Sequence, residues 1–211
     1  MAVAFVLLLL VVMVVLIVVF SAYNTFVRQR HMIEEAWRQV DVELQRRHDL
    51  IPNLVDTARI AAGFEQQAMS AVVNARSAAV RARQASDVGR GRQGQLESEL
   101  SGALHGFLGL AESYPQLRSN QNFLYLQRQL AETEDRIAAG RRFFNGNVRQ
   151  YNTRLQTVPS SLFASMFSFA PAEYFEIADA RARQAPQIGG LWNRGNQVQP
   201  PYPPQSLPPA H

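Results

Sequence analysis

The first twenty residues, Met1 to Phe20, carry no charge and no polar side chain, and Ser21 and Ala22 prolong the run to Tyr23. As a helix rising about 1.5 Å per residue, such a stretch reaches roughly 30 Å, the thickness of a bilayer's hydrocarbon core. Residues 1–22 are therefore expected to form a transmembrane helix, with the lipid bilayer as partner. A cleaved secretory signal needs a basic stretch, an apolar core of roughly 7 to 15 residues and a small-x-small cleavage site. Here nothing basic but the amino terminus precedes the core, the core is longer, and Val19-Phe20-Ser21 fits cleavage poorly. The first positive side chains, Arg28 and Arg30, follow the span, with Arg38, Arg46 and Arg47 beyond. By the positive-inside rule the amino terminus lies outside and the body in the cytoplasm.

Between the span and a proline-rich tail lie about 150 residues, enough for one modest domain. The chain has no cysteine, which excludes disulfides and thiol chemistry. All 21 basic residues are arginine, and the net charge of +4 is spread with no basic run longer than two. Nucleic-acid binding has no positive signal beyond the high pI and is not expected.

From Tyr23 to Ala62 the pattern is helical: Ile33, Trp37, Val40, Leu44, Ile51, Val55, Ala58 and Ala62 recur at spacings of three, four or seven. Pro52 removes an amide donor and crowds the carbonyl of His48, so a bend is expected inside one continuing helix. Gly63 is a natural stop. A second helix is expected from about 64 to 84, with a small, alanine-rich face at Ala68, Val72, Ala75 and Ala79. The glycines between Asp87 and Gly94 read as a flexible solvent loop. A third helix follows from about 95 to 112 on Leu96, Leu100, Leu104, Phe107 and Ala111, closed by Ser113-Tyr114-Pro115. In the fourth, Phe123, Leu130, Ile137, Phe144 and Tyr151 fall seven apart, the coiled-coil interval. Gly140 on that helix costs about 1 kcal/mol of propensity, which a close helix contact would explain. Asn120 or Ser119 is placed to cap its start, and Val158-Pro159 to end it.

Phe163, Phe167, Phe169, Tyr174 and Phe175 then form the densest aromatic cluster, expected to cap the helices, to meet lipid or to fill a partner's groove. Residues 177–211 are rich in proline and glutamine and are expected to be disordered. Four amphipathic helices of these lengths bury their stripes on one another. The expectation is an all-α fold, an antiparallel up-and-down four-helix bundle over residues 23–176, returning Tyr151 towards Tyr23.

From Trp37 to Val55 the chain reads WRQVDVELQRRHDLIPNLV. With Tyr23-Asn24, Asn74-Ala75-Arg76, Glu112-Ser113-Tyr114-Pro115, Asn122-Phe123-Leu124, Glu132-Thr133-Glu134, Tyr151-Asn152 and Val158-Pro159-Ser160, this closely resembles the LemA family of bacterial membrane proteins. The resemblance covers about residues 20–176. It implies an amino-terminal membrane helix, an antiparallel helical bundle and a place in the bacterial inner membrane. It implies no catalytic residues to carry over, because the family's biochemical role is poorly defined.

Histidines 31, 48, 105 and 211 show no His-x-x-x-His or Glu-x-x-His spacing. Asp41 and His48, seven apart, can share a face as an acid-base or metal pair, or as part of a polar seam. Asp49 and Asn53 bracket Pro52 and are expected to satisfy backbone groups that it frees. Glu132–Arg136 and Glu134–Arg141 read as local ion pairs. No catalytic, cofactor or metal site is expected. Asp41, Arg46, Arg47, Asp49 and Asn53 form the candidate interaction surface, with an internal polar network as the competing reading. The functional expectation is a membrane-anchored interaction or scaffold module, its partner another membrane or membrane-associated protein. The alternative is a ligand-binding or enzymatic bundle with its pocket among the helices.

Overall fold

The computed structural model describes residues 1–63, 65–85 and 87–177. Among them the fold is all-α, without strands. It runs α1 (Ala2–Ala62), α2 (Gln66–Gln84), α3 (Arg90–Ala111), a short α4 (Pro115–Arg118), α5 (Gln121–Gln156) and α6 (Ser160–Met166). Most of the segment expected to be disordered, from residue 178 on, lies outside the described residues.

The apolar span and the first body helix are one helix of 61 residues, which ends at Gly63 with φ 55°. Only glycine adopts that left-handed conformation without steric cost. Pro52 lies inside α1, and the helix continues across it. The carbonyl that Pro52 frees belongs to His48, and it accepts a 2.6 Å hydrogen bond from Arg76 Nε on α2. Asp49 and Asn53 do not take that role. An arginine reaching from a neighbouring helix satisfies the carbonyl and pins α2 to α1 at the same point.

Partners along α1 and α5 run in opposite order: Thr57 with Asn122, Arg46 with Gln129, Trp37 with Phe144 and Phe26 with Tyr151. α2 also opposes α1, pairing Arg76 with His48 and Arg83 with Asp41. α3 runs with α1, Arg90 beside Trp37 and Glu97 beside Arg47. The four long helices thus alternate in direction. Far from the span all four share a core around Ile51, Leu54, Val72, Leu100, Phe107 and Phe123. The expected α5 stripe is buried from Phe123 to Tyr151, and Asn120 Oδ1 caps it by accepting from the Phe123 amide at 3.0 Å. At Gly140 an added Cβ would stand 3.0 Å from Val40 Cγ2, the close contact that its glycine implied.

Glycines 89 to 94 are not a solvent loop. α3 starts at Arg90, and the chain's carboxyl-terminal strap, residues 169–177, packs over its first turns. A Cβ on Gly94 would collide with the Glu176 carbonyl, so the glycine makes room for backbone rather than for a turn. Ser168, at φ 54°, turns the chain from α6 into this strap. Asn152 exchanges two 2.9 Å hydrogen bonds with the Ala172 backbone. Asn145 does the same with Phe175, at 2.9 and 3.0 Å. Nearer the span, beyond the end of α2 and the start of α3, the strap fills the remaining side. Phe175 is fully buried against Trp37 and Phe144, and Phe169 stacks 4.9 Å from Phe26.

Candidate functional site

The middle of α1 carries a polar centre in an otherwise apolar interior. Val40, Leu44, Ile51 and Leu54 fix the core face of α1, and Arg47 and His48 fall on it, fully and almost fully buried. Arg47 is placed between two carboxylates. One is the wholly buried Glu97 of α3, and the other is the partly exposed Glu134 of α5, whose Oε1 lies 2.6 Å from Nη1. The same Nη1 donates to Ser101 Oγ at 2.9 Å. His48 Nε2 stands 3.1 Å from Glu97 Oε1. Arg47 Nε and His48 Nδ1 are buried with no hydrogen-bond partner in the protein.

Electrostatics explains why charges are stable there. Burial pushes the Glu97 carboxyl up, but the hydrogen bond from His48 and the Arg47 charge together outweigh it and hold it below the ordinary value. Burial likewise opposes the charge of Arg47, and the two glutamates more than restore it. Arg47 and Glu97 thus favour each other's charged form, and Arg47 joins α1, α3 and α5 by one side chain.

A second cluster flanks it. Arg83 of α2 binds Asp41 through two nitrogens, at 2.6 and 2.8 Å, and Gln45 Oε1 at 2.5 Å. Gln45 in turn donates to Asp49 at 2.7 Å. On the other side Arg46 donates to Gln129 at 2.5 Å.

The five residues read from sequence as one surface therefore separate. Arg47 is interior. Asp41 and Arg46 are half-buried and engaged with α2 and α5. Only Asp49 and Asn53 face solvent, on the stripe that also exposes Val42, Asp56 and Ile60. Asp41 and His48 do not pair, since each faces a different partner helix. The expected local ion pairs are replaced by long-range contacts, two of them ionic. Glu134 goes to Arg47, Arg136 to Glu43 at 3.5 Å, and Arg141 donates to the Ile177 carbonyl. Among the described residues no group of three His, Asp or Glu side chains is arranged to hold a metal. An open groove of about 590 Å³ runs between α3, α5 and the strap, lined by Gln95, Ser98, Arg141, Asn145, Tyr174 and Glu176. None of the groups of the Arg47 centre lines it.

Sequence reasoning missed Glu97 and Arg83. Both were detectable. Glu97 continues the stripe Leu100–Leu104–Phe107 at a spacing of three, and Arg83 follows Val72–Arg76–Ala79 at three or four. A charge in phase with an apolar stripe marks a buried ion pair.

Residues 36–189 match the LemA family. Magnetosome proteins MamQ 1 and MamQ 2 of Paramagnetospirillum magneticum are each 28% identical over 175 residues, 73% of this chain and 64% of theirs. Magnetosome protein MamQ of Magnetospirillum gryphiswaldense is 28% identical over 174 residues, 72% of this chain and 64% of its own. The chain thus spans under two thirds of the length of these relatives.

Proposed function

The chain belongs to the LemA family, and on that premise we propose that it is a single-pass membrane protein whose helical body presents a binding surface to another membrane-associated protein. One observation carries this reading. The apolar stretch, half or more exposed over most of its length, is continuous with the central helix of the body. A partner docked on α1 is thereby held at a fixed height above the bilayer. The charged centre at Arg47 reads as structural rather than catalytic, because Arg47, His48 and Glu97 are buried and the Arg47 charge is taken up by Glu97 and Glu134. The surface assigned to the partner is the outward stripe of α1, with Asp49 and Asn53 at its middle and Val42 and Ile60 at its ends. The body stands on the cytoplasmic side of the bacterial inner membrane.

The test is site-specific photocrosslinking in native membranes. A crosslinker replacing Asn53 or Asp49 should give one discrete protein adduct, and one replacing Arg128 on α5 should not. Adducts equal at all three positions, or at none, overturn the assignment of this stripe.

A further inference from the structure

The end of the body next to the span carries an apolar surface that no part of the core uses. From Leu155 to Ala172 the chain has no charged side chain, although 18% of all residues are charged. α6 sits within this stretch. One side of it, Ala164 with half-buried Phe163, packs on Phe26, Tyr151 and Leu155. The other side turns Leu162 and Met166 outward, 66% and 59% exposed, one helical turn apart. Val158 precedes them at 76%, and Phe167 follows at 39%.

The height of this surface is fixed by Tyr23, where the apolar run of α1 ends. The Tyr23 ring lies 5.1 Å from that of Phe167 and 5.8 Å from that of Phe169. α6 is therefore level with the point at which α1 leaves the apolar stretch. Arg28 and Arg30, exposed about two turns further along α1, mark where charge begins. An uncharged aromatic and aliphatic surface at that level matches the headgroup boundary, where tyrosine and phenylalanine rings and short apolar faces partition.

We infer that α6, with Val158 and Phe167 beside it, is an interfacial foot that rests in the headgroup region of the same bilayer that α1 crosses. The inference rests on the membrane-anchor reading above. It commits to lipid rather than protein because the surface is continuous with the apolar stretch of α1 at Tyr23. Embedding the foot would fix the tilt and rotation of the body, which a single helix crossing the bilayer leaves free.

The experiment uses the full chain in vesicles of phosphatidylcholine with phosphatidylglycerol. The chain has no cysteine, so one environment-sensitive fluorophore can be attached at Leu162→Cys, Met166→Cys, Leu10→Cys, Phe20→Cys or Val42→Cys. Val42 is 65% exposed and roughly 30 Å along α1 from Tyr23. Lipids spin-labelled at the headgroup should quench the labels at 162 and 166 about as strongly as the one at 20, and several times more than the one at 42. If the label at Leu10 is quenched by chain-labelled lipid while those at 162 and 166 behave like 42, the anchor stands and the foot is refuted. If Leu10 is not quenched, the anchor reading fails and the foot with it. Protection at 162 and 166 that disappears as the protein is diluted among excess vesicles assigns the surface to a second copy of the chain. That result also overturns the proposal.

Discussion

Arg47 shows how one side chain sets the energetics of this interior. A buried arginine between two carboxylates returns its desolvation cost only while every charge keeps a partner. Removing Arg47 alone leaves Glu97 buried with His48 as its close polar contact and Arg83 as a more distant charge. Arg47→Met should therefore cost about 3–5 kcal/mol, whereas Arg47→Met combined with Glu97→Leu should cost clearly less than the sum of the single changes. Urea unfolding of the full chain in detergent micelles, followed by circular dichroism, measures both. The pH dependence has a definite sign. Glu97 titrates lower in the folded protein than in the unfolded chain, whose carboxyl value is about 4.3. Its stabilisation is complete above the unfolded value and is lost as pH falls through the lower native one. Glu97→Gln should flatten the fall of stability from about pH 5 downward, while lowering stability at neutral pH. An unchanged acid limb would place the responsible carboxyl elsewhere.

At the scale of elements, glycines separate helix propensity from packing. Gly146 lies in α5, exposed, with nothing near its missing Cβ. Gly146→Ala should stabilise by about 1 kcal/mol. Gly94→Ala gains the same propensity, but its Cβ meets the Glu176 backbone, so it should destabilise and release the strap. Opposite shifts in thermal midpoint for the two variants are the expected outcome, and shifts of the same sign would show that the strap does not constrain α3. These glycines also mark what the sequence made legible. The helices, the stripe on α5, the Asn120 cap and the close approach at Gly140 follow from local spacing and propensity. The start of α3 does not, because glycine predicts a loop unless the strap that needs the space is known. The pairs Asn145–Phe175 and Asn152–Ala172 join residues 30 and 20 apart in sequence, and no periodicity links them. The candidate surface was half legible for the same reason. Periodicity puts Arg47 in phase with Leu44, Ile51 and Leu54 and Asn53 out of it, but what makes a buried charge stable there is Glu97, a partner 50 positions away.

For the whole molecule, the decisive quantity is the orientation in a bilayer of the proposed span in α1. The side of α1 that enters the body carries Arg28 and Arg30 within two turns of Tyr23, whereas nothing from Met1 to Phe20 carries a side-chain charge. Moving those guanidiniums across a bilayer is disfavoured on the insertion pathway, and the bias counts basic residues near the span rather than net charge. Glu34 and Glu35 therefore do not cancel it. The cysteine-free chain allows a direct measurement. Val42→Cys, in the exposed stripe of α1, should resist a membrane-impermeant maleimide in intact cells and react after lysis. Ala2→Cys, at the other end of the same helix, should react without lysis. The reverse pattern would move the body, and with it the class of partner able to reach Asp49 and Asn53, to the opposite side of the membrane.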